Sequence, residues 1–200
     1  MANRNGVHHG SCACGKVTYQ IKLTFPPVLD PSAESIRLYR CNCTQCQKMG
    51  RFHCKPIDMT NDFILTSSSP SEMGDYRTCT KRIGFYFCKS CGCHVVGVGG
   101  EWEEVELDVE EWAGKESKGE VKKVWRVKAI ENATWVIDGK EITKRLLYVS
   151  VNAGTLDQED EGSVDLIEWH DKGWLFYVEN KDKAQGTQMR MAKPYPGGMY

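Results

Sequence analysis

Three features of this sequence predict a mainly β fold. Apolar and polar residues alternate in short runs, with Val17, Tyr19, Ile21 and Leu23 set against Lys16, Thr18, Gln20 and Lys22. A period of two marks a strand with one buried face. Sustained helical periodicity is scarce. Most of the ten cysteines gather in three tight clusters where such runs begin or end, as in small sheets pinned at their turns by metal.

The elements follow in order. Gly15 to Leu23 reads as a strand, Phe25 to Pro31 as a Pro-rich loop, and Ser35 to Arg40 as a second strand running into the middle cysteines. Phe63 to Thr66 is strand-like, and the serines from Ser67 to Ser71 flanking Pro70 form a turn or loop. Arg82 to Phe87 enters the third cluster with Ile83, Phe85 and Phe87 on one face, and His94 to Val98 leaves it. The acidic stretch Glu101 to Glu111 fits a strand with one solvated face. The spacing of Trp102, Val105, Val109 and Trp112 also fits an amphipathic helix. Lys115 to Lys123 is a polar connector, Leu147 to Val151 alternates into a turn at Asn152, and Trp174 to Val178 reads as the final strand.

Composition narrows the class. The 200 residues carry a net charge of −1, enough chain for one domain with a real core. Without a basic excess, nucleic acid and anionic membranes are not expected partners. Met1 to Gly10 has no apolar run and no stretch approaches the length of a membrane span, so the expected compartment is cytoplasmic. Thiols stay reduced there, and clustered cysteines are metal ligands more often than disulfides.

The clusters are Cys12-Ala-Cys14, Cys41-Asn-Cys43-Thr-Gln-Cys46 and Cys88-Lys-Ser-Cys91-Gly-Cys93, with Cys54 and Cys79 apart. A structural zinc takes four ligands, whereas a reactive one takes three and keeps a position open. The outer pairs Cys12, Cys14, Cys88 and Cys91 supply the four. Each ends in a glycine, Gly15 or Gly92, which lets backbone amides turn toward the sulfurs. Cys41, Cys43 and Cys46 supply three, and an open corner admits water or an incoming thiol. The competing account is a second closed site, completed by Cys54, Cys79, Cys93 or a histidine.

At these residues the chain resembles the glutathione-dependent formaldehyde-activating family, also called the GFA or CENP-V-like domain. The resemblance rests on Gly10-Ser-Cys-Ala-Cys-Gly-Lys-Val-Thr-Tyr19, Cys41-Asn-Cys-Thr-Gln-Cys-Gln-Lys48 and Phe87-Cys-Lys-Ser-Cys-Gly92, with a later echo from Tyr148 to Asn152. It implies an Mss4-like fold of several short curved antiparallel sheets pinned by two zinc ions. It implies structural zinc at Cys12, Cys14, Cys88 and Cys91, and catalytic zinc at Cys41, Cys43 and Cys46. The implied activity is that of a carbon–sulfur lyase joining a thiol to a carbonyl, with glutathione a candidate co-substrate. A zinc lyase or isomerase working on a larger substrate without glutathione, or a non-catalytic zinc-stabilised binding module, are the alternatives. On this reading residues 1–9 are a flexible N-terminus and 10–178 a single zinc domain. That domain holds a longer charged insertion at about 99–146, and 179–200 is a polar, Pro/Gly-rich tail. Cys93 followed by His94 departs from the hydroxyl or small residue expected after Gly92.

Other residues carry two readings each. Cys93 and His94 are a fourth ligand and a proton relay, or a small buried hydrophobe and a strand residue. His8 and His9 are ligands or part of an unstructured end. His53 reaches the open site or packs under Pro56, and His170 with Asp171 sits in an exposed turn. The six tryptophans at 102, 112, 125, 135, 169 and 174 are core residues, or one or two of them wall a pocket beside the zinc. Arg37, Arg40, Lys48 and Arg51 bracket the triplet and either draw an acidic substrate to it or are simply solvated.

Overall fold

The computed structural model describes residues 6–67, 69–77, 81–137, 139–158, 164–181, 188–191 and 193–195. The first half runs β1 (Gly6–Ser11), β2 (Thr18–Leu23), β3 (Arg37–Cys41), α1 (Thr44–Lys48), β4 (His53–Lys55), β5 (Phe63–Leu65), β6 (Gly74–Arg77), β7 (Gly84–Phe87) and β8 (His94–Gly99). The second half runs β9 (Glu101–Asp108), α2 (Val109–Trp112), β10 (Val121–Lys128), β11 (Ile130–Ile137), β12 (Lys140–Leu146), β13 (Tyr148–Asn152), α3 (Leu166–Asp171), β14 (Leu175–Glu179) and β15 (Gln188–Met191). The fold is mainly β, as the alternation predicts.

Two larger sheets and a ribbon make up the molecule. One sheet has the order β1-β2-β5-β10-β9, the other β15-β14-β3-β4-β13-β8-β7-β6, and β11 pairs with β12 alone. Pairing is antiparallel throughout except between β14 and β3, which run parallel. On β2 the alternation is borne out: Tyr19, Ile21 and Leu23 are buried while the residues between them are half-exposed. Strand β8 lies inside the larger sheet and is buried along five of its six residues, so it reads as an unbroken apolar run. One core joins the sheets, with Tyr19, Ile21, Phe63 and Leu65 from the first meeting Leu38, Val96, Val149 and Val151 from the second. Trp169 on α3 is fully buried and packs on Phe25, with ring centroids 5.4 Å apart.

Four local expectations change. Residues 6–11 are not an unstructured end but a strand, laddered from Gly6–Leu23 to Ser11–Thr18. The acidic stretch is both of its alternatives in turn. Strand β9 ends at Asp108, whose side chain then accepts the amides of Glu110 and Glu111 and caps α2. Strand β10 already begins at Val121, inside the expected connector, and its basic residues face the acids, with Arg126 to Glu103 at 2.8 Å and Lys123 to Glu104 at 3.0 Å. Finally, β14 is followed by β15, which pairs with it from Phe176–Met191 to Glu179–Gln188.

Candidate metal centres and the cavity beside them

The outer cysteines sit on two matching turns. Between β1 and β2 the chain closes on itself through Cys12 N to Val17 O and Gly15 N to Cys12 O, both 2.9 Å. Between β7 and β8 it does so through Cys88 N to Cys93 O at 3.0 Å and Gly92 N to Cys88 O at 2.8 Å. Gly15 and Gly92 hold φ of 72° and 73°, the left-handed region that a side chain penalises. These turns belong to different sheets, and they bring four sulfurs mutually within 4.8 Å. Cys12 and Cys14 are 3.6 Å apart and Cys14 and Cys88 3.7 Å. Four thiolates about 2.3 Å from one tetrahedral ion stand about 3.8 Å from each other, so the set fits a metal of zinc's size. The spacing is too long for disulfides, whose sulfurs are about 2.05 Å apart.

The middle cysteines come from one short stretch. Cys41 ends β3, Cys43 caps α1 by accepting the Cys46 amide at 3.4 Å, and Cys46 lies within that single turn. Their sulfurs are again mutually within 4.8 Å. Cys41 and Cys46 are buried and Cys43 is half-exposed. The close neighbours Cys41 and Cys46, with the amides of Cys46 and Gln45, hold the Cys43 thiol far below its usual range, while Cys41 and Cys43 push Cys46 far above. Three sulfurs this close cannot all ionise alone, and a divalent cation among them removes that conflict. The donor set therefore suits a soft-ligand ion such as zinc.

None of the proposed fourth ligands joins the triad among the described residues. His53, on β4, approaches only Cys46, with Nε2 3.3 Å from its sulfur. It is a buried support: Nδ1 meets Ser150 Oγ and Tyr148 OH, each at 3.2 Å, and the Tyr39 ring stacks on it at 4.4 Å. Burial, then the Arg51 charge, holds its imidazole well below the ordinary range, so it is neutral. Cys54, next on the strand, points the other way into the core. Cys93 belongs beside the outer cluster rather than the triad. Cys79 lies outside the described residues. His8 and His9 lie on β1 and join no ligand cluster among the described residues.

The basic residues separate. Arg40 lies over Phe52 at 4.4 Å and Arg37 binds backbone carbonyls of the Pro-rich loop. Arg51 is not solvated: only 1% exposed, it donates Nη2 to Ser150 O at 3.0 Å while Nε and Nη1 have no partner. Among the described residues it has no carboxylate. Lys48 alone of the four reaches the open side of the triad.

That side is a cavity of about 680 Å³ touching Cys43. Its apolar wall is Met49, Tyr76 and Phe87, and Lys48, Lys181, Asn180 and His94 are among the other residues lining it. No tryptophan lines it, so the pocket-wall reading of the tryptophans is corrected: Trp169 is core, and Trp102, Trp125 and Trp174 pack against the core. His94 is half-buried against Phe87, its centroid 5.2 Å away, and burial followed by the Arg51 charge keeps it below the usual imidazole range. Asn180 and Lys181 come from the region expected to be a tail. Asn42, between two cysteines of the triad, seats them: its Oδ1 accepts the amides of Asn180 at 2.8 Å and Lys181 at 3.1 Å, and its Nδ2 donates to Glu179 at 2.8 Å. Asn180 Nδ2 then donates to the Cys41 sulfur at 3.2 Å. The place of Asn42 between Cys41 and Cys43 was the one signal the sequence carried, since a short polar side chain inside a ligand loop commonly ties backbone amides.

Fold and site together define a mainly β protein with two clustered-thiol centres able to hold metal, one four-membered and one three-membered beside a cavity. The chain belongs to the glutathione-dependent formaldehyde-activating enzyme family, whose model matches residues 7–126, more than half of its length. It is also similar to a Rhodobacter sphaeroides protein of known crystal structure, at 16% identity and a TM-score of 0.40 over 80% of this chain and 93% of that one. A search of curated protein sequences finds no match. No helix among the described residues is long and apolar enough to cross a membrane.

Proposed function

We propose that this chain is a zinc-dependent enzyme of the carbon–sulfur lyase type, joining a small thiol such as glutathione to a carbonyl carbon. Cys12, Cys14, Cys88 and Cys91 hold a structural zinc on this reading, and Cys41, Cys43 and Cys46 a reactive one. The observation that carries it is the contrast between the two thiol sets: the four-membered one is complete, while the three-membered one meets a cavity at Cys43. Zinc in the second set supplies Lewis acidity and favours the thiolate form of a thiol beside it.

The chain's own groups account for the rest. Lys48 and Lys181, exposed on the cavity rim, attract and orient the carboxylates of an acidic thiol. Asn180 and the Cys43 amide steady the Cys41 sulfur through hydrogen bonds of 3.2 and 3.5 Å. The neutral His94 imidazole takes the thiol proton and returns it to the carbonyl oxygen as the C–S bond forms. Atoms balance without an oxidant: thiol and aldehyde give an S-(1-hydroxyalkyl) adduct, and the reverse reaction splits it. The partners required are small molecules alone, in a cytoplasmic setting where glutathione is plentiful.

The test pairs zinc content per chain with thiol-dependent aldehyde consumption, in the parent and in Cys43→Ser. The parent should carry close to two zinc ions, and the variant should stay folded with close to one and lose turnover. Intact thiol-dependent turnover in a folded Cys43→Ser protein would refute the proposal.

A further inference from the structure

We infer that the carbonyl partner of this site carries a flat apolar body, an aromatic aldehyde being the simplest case, rather than being a one-carbon aldehyde. The inference rests on the function proposed above and names the second substrate of that site.

The argument starts from strand register. Gly74 on β6 stands opposite Phe87 on β7, and Tyr76 lies two residues beyond Gly74, so all three share one face of the hairpin. Gly74 has no side chain, and the Phe87 ring lies in the space that leaves: a Cβ at Gly74 would fall 2.1 Å from Phe87 Cζ. The ring thereby lies over Gly74, and Phe87 lines the cavity. Tyr76 is 46% exposed and presents its ring to the same cavity, and Met49 on the other side adds a soft thioether that conforms to varied shapes. A volume of about 680 Å³ is in the range of sites for ligands of drug size, roughly 300–1,000 Å³. Formaldehyde has no side chain and would touch none of this wall. Glutathione is polar along its length and finds its complements at Lys48 and Lys181 instead. The apolar half of the cavity is left for the group on the carbonyl carbon, R′. The reaction stays balanced: RSH and R′CHO give RS–CH(OH)R′, with one S–H bond broken, one C–S bond made and the proton ending on oxygen.

Two unreactive thioethers, S-benzylglutathione and S-methylglutathione, mimic the adduct with and without an aromatic body. Their affinities for the metal-loaded full chain are measured by calorimetry, alongside turnover of glutathione with benzaldehyde and with formaldehyde. The benzyl compound should bind at least about tenfold tighter than the methyl one. Tyr76→Ala, at an exposed position that threatens folding little, should cut that ratio to about threefold or less. Equal affinities in the parent, or a ratio that Tyr76→Ala leaves unchanged, overturn the inference. Turnover of formaldehyde alone overturns it while leaving the lyase reading standing, whereas no turnover with either aldehyde sinks that reading as well.

Discussion

Replacing Cys88 by serine tests the division of labour between the two thiol sets. Cys88 is 3% exposed and shares its cluster with Cys12, Cys14 and Cys91. Its turn joins β7 and β8 of the larger sheet, while Cys12 and Cys14 join β1 and β2 of the smaller, so a metal held by the four would clasp the two sheets. Structural zinc contributes on the order of 10 kcal/mol or more to folding at neutral pH. If three ligands keep about half of that, the variant loses about 5 kcal/mol, against a total of about 5–15 kcal/mol for a domain. At about 2–4 °C per kcal/mol for a chain this long, melting falls by about 10–20 °C, or the protein does not fold at 25 °C. Thermal melting by circular dichroism, with zinc content determined on the same sample, reads this directly. Cys43→Ser serves as the internal comparison, because its loop lies at the end of one sheet and clasps nothing; it should melt within about 5 °C of the parent. A Cys88→Ser protein with parental zinc content and a melting point within about 5 °C of the parent would show that the outer cluster is not a structural metal site.

Two further substitutions probe what surrounds the sites. Gly74→Ala forces the Phe87 ring off its place, since the new carbon would lie 2.1–2.5 Å from three ring atoms. It should cost about 1–3 kcal/mol by urea unfolding and weaken S-benzylglutathione binding more than S-methylglutathione binding; equal losses for the two would argue against the aromatic wall. Arg51→Met removes a buried guanidinium with two unpartnered nitrogens. The metal-free protein should be as stable as the parent or more so, by up to about 4 kcal/mol, while zinc in the triad is lost faster to a chelator, because three thiolates around a divalent ion leave one negative charge that Arg51 offsets. Unchanged chelator kinetics would sink that account.

What could be read from the sequence divides along physical lines. Strand β2 was legible because its alternation is strict and one face is buried. Strand β1, Gly-Val-His-His-Gly-Ser, has no such alternation and exists because β2 offers it a ladder, a tertiary cause no local pattern records. The stretch from Glu101 to Glu111 was ambiguous for a good reason: strand and helix meet inside it at Asp108. The sulfurs within each pair and within the triad were legible because their spacing is local, whereas the meeting of Cys12 and Cys14 with Cys88 and Cys91 is a tertiary event between sheets. The cavity was not, since Tyr76, Phe87, Met49 and Lys181 come from four separate segments. Arg51 misled in the opposite way. Both of its readings, steering an acidic substrate or plain solvation, put it at the surface, yet the return of the chain from α1 to β4 buries it against Phe85, its guanidinium 5.2 Å from the ring.

The difference between the clusters lies in what their ligand loops are tied to, since the donor atoms are the same. At the outer cluster the backbone bonds of each loop close within its own turn, and between the two turns run the four sulfurs, the amides of Ala13 and Cys14 directed at Cys93 and Cys91, and one exposed bond from Lys16 to Ser90 at 3.0 Å, so most of what joins the loops passes through the cysteines. At the triad the loop is also held by bonds that do not involve a metal. Asn42 bonds the loop to residues 179–181, the Arg51 amide closes on the Cys46 carbonyl at 2.9 Å, and His53 is fixed behind Cys46 by Ser150 and Tyr148. A loop already held by such bonds does not need its metal for shape. A metal bound there could leave one position to solvent or substrate without risking the fold, which is the condition a reactive centre must meet and a structural one cannot.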